Sequence, residues 1–212
     1  FIDKSGKYVI NPQFDDTKGF DSSGLAAVAI STGKDSDGHI SYEWGFIDKS
    51  GKYVINPQFD NAFEFSNGLA AVGTASGASG AGDISYKWGF IDKSGKYVIN
   101  PQFDDTKGFD SIGLAAVGTA TQEGSCSYGE LLCKWGFIDK SGKYVINPQF
   151  DDTYGFDSTT DLAAVRLGQK WGFIDKSGKY IINPQYGDLG FFDAETQLAW
   201  VELQNGNFGF IN

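Results

Sequence analysis

Residues 137–150 read Phe-Ile-Asp-Lys-Ser-Gly-Lys-Tyr-Val-Ile-Asn-Pro-Gln-Phe, and this sequence occurs five times along the chain almost unchanged. The start-to-start spacings of the copies, including a sixth that stops after Asn212, are 45, 44, 47, 36 and 37 residues. A period of this size is typical of repeat arrays such as propellers and solenoids. The copies begin at Phe1, Phe46, Phe90, Phe137, Phe173 and Phe210.

Each copy predicts a β-hairpin. Residues 135–139 are aromatic and β-branched, as strands prefer, and residues 139–142 (Asp-Lys-Ser-Gly) have turn chemistry. The aspartate can accept hydrogen bonds from amides further along the turn, and its glycine tolerates a positive φ, which suits a type I turn with a bulge. Residues 143–146 form the return strand. We expect Asn147-Pro148 to end it, because proline cannot donate to a sheet ladder.

The rest of the repeat predicts one more strand. Residues 150–158 show no clean period, so we expect an aromatic-rich loop there. Residues 162–165 (Leu-Ala-Ala-Val) then form a short strand that turns back into Trp171. Two alanines in this strand, Ala163 and Ala164, leave room for another layer to approach closely. The predicted repeat is therefore a three-stranded antiparallel meander in an all-β fold.

The full motif resembles the bacterial WG (or KWG) repeat. It reads Trp-Gly-Phe-Ile-Asp-Lys-Ser-Gly-Lys-Tyr-Val-Ile-Asn-Pro-Gln-Phe-Asp, followed by Gly-Leu-Ala-Ala-Val, and it recurs along nearly the whole chain. The resemblance implies a scaffold of β-meanders. It implies no catalytic activity and no active-site residues.

The 212 residues form one repeat domain, since a single repeat is too small to bury a core alone. The fifth repeat departs from the pattern, as an array's end cap would. We expect either a five-unit propeller-like ring or, alternatively, an open curved β-solenoid. The C-terminal strands would complete the first unit of a ring, but residues 210–212 duplicate residues 1–3. The units are 1–45, 46–89, 90–136, 137–172 and 173–209, followed by a partial strand at 210–212.

Charge and hydropathy bear on the partners. The net charge of −10 argues against nucleic acid, whose non-specific binding requires a basic face. No apolar run approaches the roughly 20 residues of a membrane span.

The two cysteines, Cys126 and Cys133, lie close together in one insertion. A local disulfide across a hairpin fits this spacing, and it would indicate an oxidising compartment. The alternative is two free buried thiols. The expected location is extracellular or on the bacterial cell surface.

Variation in length falls at one place in the repeat, between the Leu-Ala-Ala-Val and Trp-Gly strands. The first three units carry long loops there, and variable loops on a constant scaffold commonly bind ligands. The candidate ligand contacts in these loops are His39, Tyr42, Tyr86 and Tyr128. The periodic tryptophans are instead expected in the core: Trp44, Trp88, Trp135 and Trp171.

Catalysis and cofactors are not expected. His39 is the chain's one histidine, and no nucleophile motif accompanies it. Recurring aspartates could hold calcium, but a turn-capping role explains them without a ligand. These aspartates are Asp15, Asp16, Asp21, Asp104, Asp105, Asp110, Asp151, Asp152 and Asp157.

The sequence thus favours a non-enzymatic extracellular scaffold that binds a protein or surface polymer through the long loops of units one to three. A lectin-like role is one form of this function. The alternative is a structural subunit that polymerises into a fibre by strand complementation between its termini.

Overall fold

All the regular secondary structure of the described residues consists of antiparallel β-strands, and no helix occurs among them. A computed structural model describes residues 1–34, 40–78, 84–121, 126 and 133–212. Two bodies are distinguished by their internal contacts. The first comprises Phe1–Gly77 with Tyr86–Gln102, and the second comprises Ala78–Ser85 with Phe103–Asn212.

The first body holds two four-stranded sheets. Three strands of the second sheet have end residues that belong to the second body. The first sheet consists of β1 (Asp16–Phe20), β2 (Ala26–Lys34), β3 (Ile40–Ile47) and β4 (Tyr53–Phe59). The second sheet consists of β5 (Asn61–Ser66), β6 (Leu69–Ala78), β7 (Ile84–Ile91) and β8 (Tyr97–Phe103).

The second body holds two more four-stranded sheets and a three-stranded one. The third sheet consists of β9 (Asp105–Phe109), β10 (Ala115–Ala120), β11 (Cys133–Ile138) and β12 (Tyr144–Phe150). The fourth consists of β13 (Asp152–Phe156), β14 (Ala163–Leu167), β15 (Lys170–Ile174) and β16 (Tyr180–Tyr186). The fifth consists of β17 (Asp188–Leu189), β18 (Ala199–Glu202) and β19 (Phe208–Ile211).

Each sheet is a meander, with strands neighbouring one another in chain order. The all-β prediction is confirmed, but four sheets have four strands where three were expected. The additional strand, β13 in the fourth sheet, was expected to be a loop. A β-bulge between Thr153 and Gly155 shifts the register against β14 and breaks the two-residue alternation that marks a strand.

The expected stop at Asn147-Pro148 is also wrong, since β12 continues through both residues to Phe150. This strand is the last in its sheet, and an edge strand tolerates proline because the missing N–H faces away from the ladder. Ile146 and Phe150 both bury their side chains.

The Asp-Lys-Ser-Gly turn has the predicted chemistry. The Oδ1 of Asp139 accepts hydrogen bonds from the amide of Ser141 at 2.8 Å, its hydroxyl at 2.6 Å and the amide of Lys143 at 3.1 Å. Gly142 has φ of 84° and donates its amide to the Asp139 carbonyl at 2.9 Å. These contacts fix the loop length, and so the register of the hairpin.

The glycine of the Trp-Gly pair lies against the backbone of the fourth strand. A Cβ on Gly136 would lie 2.6 Å from the carbonyl oxygen of Ile146 and 2.7 Å from the nitrogen of Pro148. No side chain fits in that space, so glycine is required where β12 crosses β11.

Sheets of the second body stack face to face. On the central strand β14, Ala163 belongs to a buried cluster with Phe137 and Phe150 of the third sheet. The next residue, Ala164, belongs to a cluster with Leu189 and other residues of the fifth sheet. Both faces of the fourth sheet are therefore covered, and the two small alanines permit the close approach that the sequence predicted.

Stacking in the first body follows the same plan. The ring of Phe46 on β3 contacts that of Phe65 on β5 at 4.9 Å between centroids. The equivalent contact in the second body, between Phe137 and Phe156, is also 4.9 Å. Successive sheets within each body are thus joined by a repeated aromatic pair.

Candidate binding surface

The predicted ligand-contact residues fall in different parts of the structure. His39 and Tyr128 lie outside the described residues. Tyr42 lies on β3, opposite Ser31 of β2, and its half-buried side chain packs against the core. Tyr86 lies on β7 with its ring 5.8 Å from Trp88. Both tyrosines are therefore strand residues rather than loop residues, because these strands extend further than the sequence indicated. Their role in binding stays a prediction.

The four periodic tryptophans lie on the third strands of the first four sheets, and all are buried. In each sheet, a side chain from the first strand covers the tryptophan ring. Lys18 and Lys107 place their ammonium groups 5.2 Å and 4.9 Å from the ring centroids of Trp44 and Trp135. In the other two sheets an aromatic ring takes this place.

These aromatic covers are Phe63 and Tyr154. Phe63 stacks on Trp88 with a centroid distance of 4.8 Å and an interplanar angle of 9°. Tyr154 stacks on Trp171 at 4.4 Å and 12°. The covering position is thus structurally constant and chemically variable, with Lys, Phe, Lys and Tyr in the four sheets.

The covering residue is the one that the β-bulge leaves without a cross-strand partner. In the third sheet, Thr106 pairs with Val117 and Gly108 pairs with Ala116, so Lys107 is left between them. A bulge re-aims a side chain in this way. Sequence reasoning missed these residues, although variation at one position of a near-identical stretch was a usable signal.

In the first and third sheets, a small residue on the second strand leaves room for a side chain to reach the tryptophan ring. Gly118 lies between Asp105 on one side and Trp135 on the other. In the first sheet, Ala29 has the equivalent place between Asp16 and Trp44. A side chain from the first strand can therefore reach over the second strand to the tryptophan.

Charges connect two of these sites in the second body. Lys107 lies 3.6 Å from Asp152, and Arg166 lies 3.7 Å from the other oxygen of the same carboxylate. Arg166 also lies over the ring of Trp171, 5.8 Å from its centroid. We call Trp135, Lys107, Asp152, Arg166 and Trp171 the cation–aromatic ladder.

Two exposed aromatic rings adjoin the ladder. Tyr154 is 41% exposed and Phe191 is 51% exposed, and their ring centroids are 5.7 Å apart. Burial raises the pKa of Tyr154, with smaller contributions from the charges of Asp188 and Asp152. The phenol of Tyr154 is therefore a neutral hydrogen-bond donor at neutral pH. The exposed rings of Tyr154 and Phe191 add aromatic surface that a ligand can reach.

Asp105 lies beside the ladder with a perturbed pKa. Desolvation by burial raises it to about 6, against the lowering effects of the Thr106 amide and the Lys107 charge. Its Oδ1 accepts the Thr106 amide hydrogen bond at 2.7 Å. In the second sheet an uncharged residue, Asn61, accepts the corresponding bond from Ala62 at 2.9 Å. The carboxylate charge is therefore not needed for the turn.

The aspartates considered for calcium accept backbone amides. Asp15 accepts the Ser31 amide at 2.7 Å, and Asp104 accepts the Ala120 amide at 2.9 Å. Among the residues that the structure describes, no group of three or more His, Cys, Asp or Glu side chains is arranged to hold a metal ion.

A shallow pocket of about 370 Å³ lies beside the last Asp-Lys-Ser-Gly turn of the second body. Its charges are already paired, since Lys176 lies 2.8 Å from Asp161. Asp175 is engaged as well, accepting the Ser177 hydroxyl at 2.6 Å. The pocket is lined by Thr160, Asp161, Leu162, Asp175, Lys176 and Ser177.

Cys126 and Cys133 form a disulfide, with their Cα atoms 5.4 Å apart. The sulfur of Cys126 lies near Gly118, where an added Cβ would be 3.5 Å from it. The disulfide thus lies close to Gly118, the small residue opposite Trp135.

The described part of the chain contains no helical segment with the length and hydropathy of a membrane span.

The profile of the WG containing repeat matches the chain at residues 1–31, 44–73, 88–118, 135–171 and 171–208. The chain belongs to the WG-repeat family. The resemblance inferred from the Trp-Gly-Phe-Ile motif is therefore confirmed. No curated protein matches this WG-repeat protein.

A solved structure that resembles it is Sqt1 of Chaetomium thermophilum, bound to the N-terminus of a ribosomal protein. The identity is 12%, the match covers 88% of this chain and 68% of that chain, and the TM-score is 0.32.

Proposed function

We propose that this WG-repeat protein is a non-enzymatic scaffold that binds a protein or a surface polymer. One observation carries the proposal: the side chain over each buried tryptophan changes from Lys to Phe, Lys and Tyr, while the tryptophan beneath it is constant. Chemical variation at an accessible position over a constant aromatic residue is typical of a recognition surface.

The ladder and its neighbouring rings give this surface its chemistry in the second body. Tyr154 and Phe191 offer exposed aromatic area at a low cost in conformational entropy, as binding surfaces commonly do. Lys107 and Arg166 share the single carboxylate of Asp152, so each retains donors for a ligand. The long loops of units one to three, with His39, Tyr42, Tyr86 and Tyr128, form a second predicted contact region.

The proposed setting is extracellular or at the cell surface, with no cofactor and no nucleic acid partner. The disulfide between Cys126 and Cys133 supports an oxidising compartment. The net charge of −10 disfavours nucleic acid. The proposed architecture remains a five-unit propeller-like ring, with an open curved solenoid as its alternative.

The experiment is a screen of the purified chain against a glycan array and a displayed peptide library, followed by calorimetry with each binder found. Removal of both rings, in Tyr154→Ala with Phe191→Ala, is expected to weaken binding by about tenfold or more, as loss of central aromatic contacts does. The control is Val145→Ala, which shortens an exposed aliphatic side chain of the same body.

The proposal is supported if the control retains affinity and both variants keep the wild-type unfolding midpoint. It is contradicted if no glycan or peptide binds, or if the double variant and the control bind equally well.

A second candidate function is self-assembly through strand addition. The observation that favours it is the aromatic pair repeated between successive sheets, Phe46 with Phe65 and Phe137 with Phe156, because equivalent interfaces can be reused between chains.

A further inference from the structure

The exposed rings of Tyr154 and Phe191 form a corner on the second body. Tyr154 stacks on Trp171 with one face and leaves its other face available, since the residue is 41% exposed. The ring planes of Tyr154 and Phe191 are inclined by 54°, with their centroids 5.7 Å apart. The position of Phe191 is exposed in the second sheet as well, where Glu64 occupies it. A group that enters this corner therefore contacts two aromatic rings.

Cations lie over aromatic rings in three sheets of this protein. The ammonium groups of Lys18 and Lys107 lie 5.2 Å and 4.9 Å from the centroids of their tryptophan rings, and the guanidinium group of Arg166 lies 5.8 Å from its own. These contacts are favourable because the face of an aromatic ring carries negative electrostatic potential. Among the described residues, no cation lies over Tyr154 or Phe191. Their exposed faces are thus available to a cation from a ligand.

The charges beside the corner favour a positively charged ligand. After burial, which is the largest cause, the charges of Asp188 and Asp152 raise the pKa of Tyr154, so both carboxylates lie near its ring. Asp152 is already paired with Lys107 and Arg166. Asp188 has no ion-pair partner in the part of the chain that the structure describes. One negative charge at the corner is therefore left for a ligand to balance.

We propose that Tyr154, Phe191 and Asp188 bind the guanidinium group of an arginine side chain in a partner protein. This inference deepens the proposed function and rests on it, because it names the partner chemistry of the same surface. A planar guanidinium group stacks on aromatic faces, pairs with carboxylates and is less strongly hydrated than an ammonium group. The remaining donors of Lys107 and Arg166 suit the carbonyl oxygens of a peptide backbone. A neutral glycan, in contrast, supplies no cation for Asp188.

Asparagine at position 188 removes the charge and keeps the local structure. The Oδ1 of Asp188 accepts the amide of the next residue at 2.8 Å. At the equivalent position of the second sheet, Asn61 accepts the corresponding amide at 2.9 Å, so Asp188→Asn is expected to fold normally. The matched control is Asp16→Asn, which removes the same charge at the equivalent position of the first sheet. There Lys18 already lies over the tryptophan ring.

The experiment is an NMR titration of the full chain with a blocked peptide in which arginines alternate with glycines. The same peptide with citrulline, the uncharged analogue of arginine, is the ligand control. We expect saturable shifts of the Tyr154 and Phe191 signals with the arginine peptide. The affinity for the citrulline peptide should be lower by about threefold or more, which corresponds to one cation–π contact at an exposed site. Asp188→Asn should weaken binding of the arginine peptide to a similar extent, and Asp16→Asn should leave it unchanged.

Circular dichroism of both variants establishes that their sheets are intact. The inference is overturned if the arginine peptide gives no saturable shift, or if the two peptides bind equally well. Equal affinities of Asp188→Asn and Asp16→Asn for the arginine peptide would overturn it too. Binding of a neutral glycan that depends on Tyr154 and Phe191 would overturn the inference and still support the proposed function. The proposed function itself fails only if no glycan or peptide binds in a way that depends on these two rings.

Discussion

The Oδ2 of Asp21 accepts a hydrogen bond of 2.8 Å from the amide of Phe65, which lies 44 residues further along the chain. The other oxygen of the same carboxylate accepts the amide of Ser23 at 2.7 Å. One side chain thus closes the turn before β2 and joins the first sheet to the second. In the second body, Asp110 closes the equivalent turn, since its Oδ1 accepts the amides of Ile112 and Leu114, both at 3.1 Å.

Replacement of Asp21 tests this link between sheets. Asp21→Ala removes three charge-assisted hydrogen bonds, from the amides of Ser23, Leu25 and Phe65, and leaves the Phe65 amide without its acceptor. We therefore expect a loss of about 2–3 kcal/mol in the free energy of unfolding. Urea denaturation gives the value. Asp15→Ala is the control, because Asp15 is exposed and its carboxylate accepts the amide of Ser31 within its own sheet. Equal losses in the two variants would contradict a joining role for Asp21.

The Trp-Gly pair gives a prediction with an internal control. Gly136→Ala places a Cβ against the backbone of Ile146 and Pro148, so we expect it to destabilise the protein by about 3 kcal/mol, a large overpacking cost. A Cβ on Gly209 meets no atom within 4 Å, so the effect of Gly209→Ala should stay within about 0.5 kcal/mol. Urea denaturation of both variants is the measurement. Similar costs at the two positions would mean that close approach of the fourth strand is not what requires glycine.

Asp105 should make stability depend on pH in the direction opposite to most aspartates. Because its folded-state pKa is raised to about 6, the folded protein holds this proton more tightly than the unfolded chain. Its contribution to stability therefore falls as the pH rises from about 4 to about 6.

We expect Asp105→Asn to be more stable than wild type by about 1–2 kcal/mol near pH 8, after allowance for solvent screening, and equal to it near pH 4. Thermal denaturation across this pH range measures the difference. The control is Asp16→Asn, at the equivalent but exposed position of the first sheet. If the stability difference between Asp105→Asn and wild type does not change with pH, the pKa of the Asp105 carboxyl is not raised.

The repeated turn predicts a pKa that can be measured directly. The Ser141 hydroxyl is the largest cause that lowers the pKa of Asp139, followed by burial, which raises it, and the Lys143 and Ser141 amides, which lower it. Ser141→Ala should raise this pKa towards the usual value for aspartate. Carboxyl-detected NMR titration follows the change, with Asp175 in the unaltered equivalent turn as the reference. An unchanged Asp139 pKa would contradict the role of the hydroxyl.

Much of the fold was predictable because the sequence repeats its strongest local signals. The turn at Asp139–Gly142, the strands beside it and the close packing at Ala163 and Ala164 depend on nearby residues, and the structure has them as expected. Strand β13 was missed because its bulge hides the alternation on which strand prediction depends.

The binding surface was less predictable. Lys107 and Tyr154 become covers for a tryptophan only when the bulge turns them across a neighbouring strand, which no local pattern indicates. Tyr42 and Tyr86 were expected in loops because β-strands that extend into variable segments have no sequence mark of their end.

A single sheet of this protein cannot bury its own apolar surface. In the fourth sheet, Ala163 and Ile174 pack against the third sheet, while Ala164 and Phe173 pack against the fifth. A chain with only this sheet would expose both faces to water, and its few strands would not compensate for the entropy lost on ordering.

The direct measurement is urea denaturation of a synthetic chain of residues 152–186, followed by the fluorescence of its one tryptophan, Trp171. We expect emission typical of water-exposed indole and no cooperative transition. A cooperative transition from a state in which Trp171 is buried would contradict it.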